Sequence, residues 1–187
     1  MLIGIFVGGR ARRMGGIAKG LLPAPSTGEP LAARLARIAH ELGHEPVLVG
    51  DAPAYREALP GLRAIADDPV GVGPLGGLGG LLAAADDGLV IALSCDLPHV
   101  SPALLGRLAT TPSTAAVLAP RATSGVWEPL CARYDAAAVR PALVAALARG
   151  ERSFQRLFAA VRVEALPLDD AERAQLVDWD APEDLTR

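Results

Sequence analysis

Four cations stand within ten residues near the start of the chain, Arg10, Arg12, Arg13 and Lys19, with no acid among them, in a protein of formal charge -3. The apolar run Leu2–Val7 precedes them and ends at Gly8-Gly9, where the backbone can turn tightly and bring its amides close to a ligand. A glycine turn at the carboxyl end of a strand, backed by concentrated positive charge, suits a polyphosphate. Of the eighteen lysines and arginines only Lys19 is a lysine. A compact ammonium on a flexible stem can touch a phosphate as a point charge, and the competing reading is an ordinary surface lysine. The loop is neither of two familiar phosphate binders. Ala18 and Gly20 flank Lys19 where a P-loop needs Gly-Lys-Ser/Thr, and the adjacent glycines break the dinucleotide pattern G-x-G-x-x-G.

Carboxylates supply the second half of the chemistry. Asp96 comes just after the apolar run Leu89–Leu93, within Ser94-Cys95-Asp96-Leu97-Pro98. An aspartate at the end of a buried strand is held rigidly where ligands bind, and its oxygen is the type that Mg²⁺ takes alongside phosphate oxygens. A turn-capping role before Leu-Pro is the alternative. Cys95 has no convincing base and reads as a small buried residue; His99 reads as exposed. Arg121 and Arg133 could meet an anionic acceptor, although each alone reads as a surface charge.

The elements that must position these groups alternate between strand and helix. Strands are expected at Leu2–Val7, 46–50, 62–66, 89–93, 115–119, within 127–134, and at 161–166. Helices are expected from Pro30 to Gly43, from Asp51 and Pro53 to Leu59, from Ser101 to about Ala109, from an Asp135 cap to Gly150, from Gly150 through Phe158, and from Asp169. That rhythm predicts an α/β fold with a parallel sheet covered by helices on both faces, and ligands beyond the carboxyl ends of the strands. After the third strand comes Asp67-Asp68-Pro69, then six glycines between Gly71 and Gly80. Such a run costs chain entropy and calls for close approach of a ligand or another backbone; packing at a helix start is preferred for Gly79 and Gly80. Asp180 with Glu183 makes a capping-box pattern near the end.

At 187 residues, the chain fits one domain with one substantial core, which must be aliphatic because aromatics are only 4%. No apolar run approaches the roughly 20 residues of a membrane span, and the first apolar run reads as a strand, so no secretory signal is expected. Cys95 and Cys131 have neither metal-site spacing nor disulfide density, which points to a cytoplasmic protein with reduced thiols. With an acidic balance and local positive charge, a small anionic ligand is favoured over nucleic acid.

Gly8-Gly9-Arg10-Ala11-Arg12-Arg13-Met14-Gly15-Gly16 with Lys19-Gly20 resembles the signature of nucleotidyltransferases, most closely the molybdenum cofactor guanylyltransferases. Further matches occur in family order. They are Asp67 ahead of Gly73-Pro74-Leu75-Gly76-Gly77, with Asp68 as fallback, then Cys95-Asp96-Leu97-Pro98, Pro129-Leu130-Cys131-Ala132-Arg133-Tyr134, Gly150-Glu151-Arg152-Ser153 and the Asp178-to-Asp184 ending. The resemblance spans Leu2 to Leu185 and implies a three-layer Rossmann-like domain with a mostly parallel mixed sheet, of nucleotide-diphospho-sugar transferase type. Its nucleotide half would be about 1–100 and its acceptor half about 101–187. It implies catalytic roles for Arg13, Lys19 and Asp96, and nucleotide contacts at Val7, Gly8, Gly9, Arg10, Lys19, Asp67, Gly76 and Asp96. Asp96 would hold Mg²⁺, and Arg152, Asp178 and Asp180 would face the acceptor, with Arg156 a further candidate.

The implied reaction moves GMP from GTP to molybdopterin carrying molybdenum, in a monomer that meets molybdenum-insertion proteins or molybdoenzymes transiently. Transfer of CMP, use of another phosphorylated acceptor, and a non-catalytic nucleotide-binding module are the rival readings. Three positions depart from the family pattern: Ala18 replaces a frequent aspartate, Gly50 a polar nucleoside contact and Asp178 an asparagine.

Overall fold

Apolar stretches of two periodicities alternate along the chain, and the computed structural model, which describes residues 1–7, 18–25, 27–50 and 53–179, turns them into strands and helices. In chain order these are β1 (Leu2–Phe6), α1 (Leu31–Glu41), β2 (Glu45–Val49), α2 (Pro53–Ala58), β3 (Arg63–Ile65), α3 (Pro74–Ala84) and β4 (Leu89–Ser94). The second half adds α4 (Pro102–Thr110), β5 (Val117–Ala119), β6 (Cys131–Asp135), α5 (Ala136–Ala148), α6 (Phe154–Phe158), β7 (Val163–Ala165) and α7 (Asp170–Ala174). One sheet holds the strands in the order β3-β2-β1-β4-β6-β5-β7. All pairings are parallel except those of β6, which runs antiparallel to both β4 and β5.

The sheet is mixed and mostly parallel, as the family resemblance implies; the rhythm of elements alone suggests a parallel sheet and does not reveal the reversed strand. No helix lies between β5 and β6; the connection 120–130 is a hairpin held by an Arg121–Trp127 bridge. A connection that short returns a strand antiparallel, because a parallel return needs a crossover of a dozen or more residues. Trp127–Leu130 accordingly lies outside the strand, which starts at Cys131.

Both faces of the central strands are buried, and this explains why β1 and β4 read as continuous apolar runs. Ile3, Ile5, Ile91 and Leu93 face a core shared with α1 and α4, while Phe6, Val90 and Ala92 face one shared with α3, α5 and α6. The result is a three-layer Rossmann-like fold. In α1, Pro30 stands at the N-cap and Gly43, at φ +75°, ends the chain's helical course.

The glycine run is largely helical. A Cβ on Gly76 would strike the Pro69 carbonyl oxygen, one on Gly79 that of Asp68, and one on Gly80 that of Ala66. Gly77 would meet Phe6 Cε1 at 2.8 Å. The backbone leaving β3 therefore lies directly on α3; helix-to-backbone contact accounts for Gly76, Gly79 and Gly80, and Gly77 makes room for the Phe6 and Val49 side chains. Among the described residues no helix is long and apolar enough to cross a membrane.

Candidate active site

The carboxyl ends of β1 and β4 are neighbours in the sheet, and the chemistry-bearing residues gather there. Asp96 lies two residues past β4. Its backbone is pinned on both sides: Cys95 N donates to Phe6 O at 3.2 Å, and Trp179 N donates to Asp96 O at 3.1 Å. One carboxylate oxygen of Asp96 accepts a hydrogen bond from Ser94 Oγ. The other lies 3.3 Å from Lys19 Nζ, with the two side chains 16% and 15% exposed. Residues 77 apart in sequence thus meet in a half-buried ion pair.

Lys19 is aimed by what lies beneath it. Lys19–Leu21 is a single 3₁₀ turn. Gly20 N donates to Tyr55 Oη at 2.8 Å, and a Cβ on Gly20 would meet Cys95 Cβ and Tyr55 Cε1, each at 2.8 Å. Only glycine lets the turn settle this deeply against the end of β4. Burial, reinforced by the Asp96 charge, pushes the Cys95 thiol up to about 12, and burial above all raises Tyr55 as well. Both stay neutral near pH 7, so Cys95 serves as packing and as no nucleophile. Ala18, where an aspartate is frequent in the resembled family, packs against the same core.

A cleft of about 310 Å³ opens beside this pair, lined by Ser94, Asp96, Glu128, Pro129, Leu130 and Asp178 among others. Glu128 is half-buried, and its carboxyl titrates above the usual range, first because burial disfavours its charge and then because Asp178 is near. Of the expected acceptor-facing residues, Asp178 lines the cleft. Arg152 does not: it sits exposed after α5, donating to the Glu151 carbonyl, and Arg156 pairs with Glu151 at 3.4 Å. Asp67 and Gly76 adjoin one another where β3 meets α3, on the other side of β1. Val7 prolongs β1, donating to Val49 O at 3.0 Å. Gly50 has φ +109°, a conformation that disfavours any side chain, which explains glycine where a polar contact is common. Gly8, Gly9, Arg10, Arg12, Arg13 and Asp180 lie outside the described residues.

Residues 3–165 match the profile of the MobA-like NTP transferase domain. The chain belongs to this family. A protein named probable molybdenum cofactor guanylyltransferase from Opitutus terrae is 36% identical, over 98% of this chain and 92% of its own length. A molybdenum cofactor guanylyltransferase from Pseudomonas putida F1 is also 36% identical, over 97% of this chain and 93% of its own. In fold, the chain is similar to molybdopterin-guanine dinucleotide biosynthesis protein A from Archaeoglobus fulgidus, with TM-score 0.80, 24% identity and coverage of 100% and 95%.

In this MobA-like protein the site also holds residues that the sequence alone does not single out. Tyr55, Ser94 and Glu128 carry no distinctive spacing; the two available signals are a rare aromatic shortly after the second strand and an acid directly before Pro129-Leu130. Arg133 corrects an expectation. It is 6% exposed, not a surface charge, and donates to the carbonyls of Leu108, Ala109 and Thr111, closing the end of α4. His99 is exposed, as expected.

Proposed function

We propose that this MobA-like transferase moves GMP from GTP to the phosphate of molybdopterin carrying molybdenum, releasing pyrophosphate. The observation that carries the reading is the meeting of Lys19 and Asp96 at 3.3 Å beside a cleft that runs from Ser94 and Asp96 to Glu128 and Asp178. The guanine and the acceptor come from the names of the relatives at 36% identity.

An acceptor phosphate oxygen attacks the α-phosphorus; the new P–O bond forms as the bond to the β-phosphate oxygen breaks, and its electron pair leaves with pyrophosphate. The attacking phosphate is already anionic near neutral pH, so no strong base is required. The chain's task is positioning and charge. Lys19 meets the negative charge that grows on the triphosphate, and its compact ammonium on a flexible stem can turn from Asp96 to a phosphate oxygen beside the cleft. The turn beneath, fixed by Gly20 on Tyr55, keeps that movement short.

The donor set at Asp96 fits Mg²⁺, which takes one or two carboxylates and completes its shell with phosphate oxygens and water. Asp96 has one oxygen steadied by Ser94 and the other on the Lys19 ammonium, and its side chain lines the cleft. When bound, the ion would neutralise triphosphate charge.

Pyrophosphate release measured with each nucleoside triphosphate, with and without molybdenum-loaded molybdopterin, tests the reading. Turnover with GTP and that acceptor is expected. Preference for CTP would replace the guanylyl assignment with a cytidylyl one, and turnover with none would leave a nucleotide-binding module.

A further inference from the structure

The Asp96 cleft does not end at Glu128. A second hollow of about 190 Å³ shares this residue as a wall and is bounded also by Arg121, Thr123, Arg173, Leu176 and Val177. Glu128 and Leu176 form walls of both. The hollow is small against a drug-sized site of about 300–1,000 Å³ but roomy enough for one fused ring pair.

Its rim is braced. The Arg121 guanidinium lies over Trp127, with its central carbon 3.8 Å from the ring centroid. Trp127 is gripped by Gln155, which accepts from its backbone N–H at 3.2 Å and donates to its carbonyl at 2.9 Å. Arg173 reaches from α7 to donate to the Arg121 carbonyl at 3.1 Å, and Glu128 N donates to Pro120 O at 3.0 Å. A guanidinium backed by an indole offers a planar cationic surface for stacking. A carboxyl between the hollows offers acceptors to a pair of N–H groups, and the arginines offer donors to a ring oxygen.

We propose that this second hollow is a ring-recognition subsite for a fused bicyclic heterocycle of the 2-amino-4-oxo type, its N–H edge on Glu128 and its face on Arg121, while the attached phosphate lies at Asp96. Guanine and pterin share that edge. The subsite's place assigns it to the acceptor: the Arg121–Trp127 hairpin joins β5 to β6, on one side of β4, whereas Asp67, Gly76 and the turn bearing Lys19 serve the side of β1, β2 and β3. The inference rests on the reading of the protein as a molybdopterin guanylyltransferase and adds where the acceptor's ring is held.

Glu128→Gln and Arg121→Ala, each checked for an unchanged thermal melt, are compared with the wild type in two measurements. In the first, free pterin is titrated calorimetrically into each protein without nucleotide; the wild type binds, and both variants bind at least about tenfold more weakly, with Arg121→Lys recovering little because the planar surface is gone. In the second, KM is measured separately for molybdopterin and for GTP; the variants raise the former about tenfold or more and leave the latter in place. Equal pterin binding by wild type and variants, no binding by any of them, or a rise confined to the KM for GTP would overturn the subsite. Absence of turnover with molybdopterin by a wild type that binds pterin through Glu128 and Arg121 would instead overturn the assigned acceptor and leave the subsite standing.

Discussion

Lys19 and Asp96 are held from beneath, by a glycine turn pressed on Tyr55 and Cys95 and by backbone hydrogen bonds to Phe6 and Trp179, whereas Glu128 and Asp178 come from a hairpin base and a late loop at the rim. The first pair rests on the central parallel strands. The second rests on the antiparallel part of the sheet and the segments that cross over it. Groups that stabilise charge on a triphosphate must be placed to within fractions of an ångström, which buried backbone provides. Groups that would choose the proposed acceptor stand on connections, where side chains can change with less disturbance of the core.

The comparison is most exposed at its strong side. Asp96→Ala and Lys19→Ala should each lower kcat by about 10²–10³-fold with an unchanged circular-dichroism melt. A loss of fewer than tenfold would mean that the pair does not handle the reacting phosphates.

Next in size are the packing glycines. Gly20→Ala places a methyl 2.8 Å from Cys95 Cβ and Tyr55 Cε1, and should cost about 1–3 kcal/mol of stability in urea unfolding. Its KM for GTP should rise too, because the turn that aims Lys19 must lift. Gly79→Ala, which drives a methyl into the Asp68 carbonyl, should cost stability by a similar amount.

Arg133→Met sharpens the contrast from the other half of the chain. It leaves the carbonyls of Leu108, Ala109 and Thr111 without their donor and should lower stability by about 1–3 kcal/mol, while KM for nucleotide and acceptor stays put. A selective rise in acceptor KM would return Arg133 to the acceptor's side.

The smallest effect concerns the buried thiols. Burial pushes Cys95 and Cys131 up to about 12 from an ordinary 9.0, so the folded state favours the neutral form. The stability penalty this implies is absent below about pH 9, where the thiols are neutral in both states, and grows as pH rises from there toward 12. Iodoacetamide at pH 8 should therefore leave both cysteines almost unmodified in the native protein and react with both in urea. Rapid native labelling at Cys95 would show that the floor beneath Lys19 opens readily.

Much of the strong side was legible in the chain itself. The apolar run into Asp96 and the cation-rich stretch ending at Lys19 mark two strand ends with charged groups just beyond them, and strand ends in such a sheet point to a common edge. Local sequence also set the caps of several helices: Asp135 accepts from Ala138 N at 3.0 Å, and Asp169 with Glu172 completes a capping box. Residue types and their order along the backbone carry this much because strand period, helix period and capping act over a few neighbours.

Tertiary structure alone decided the rest. The reversal of β6, the burial of Arg133 against α4, the carbonyls that claim the space beside Gly76, Gly79 and Gly80, and the placing of Tyr55 under Lys19 all join residues far apart in the chain. Glu128 gained its place between two hollows only when the hairpin and the segment after α7 closed over the same edge. Such contacts depend on which surfaces meet once the layers pack, and no local pattern of side chains records that meeting.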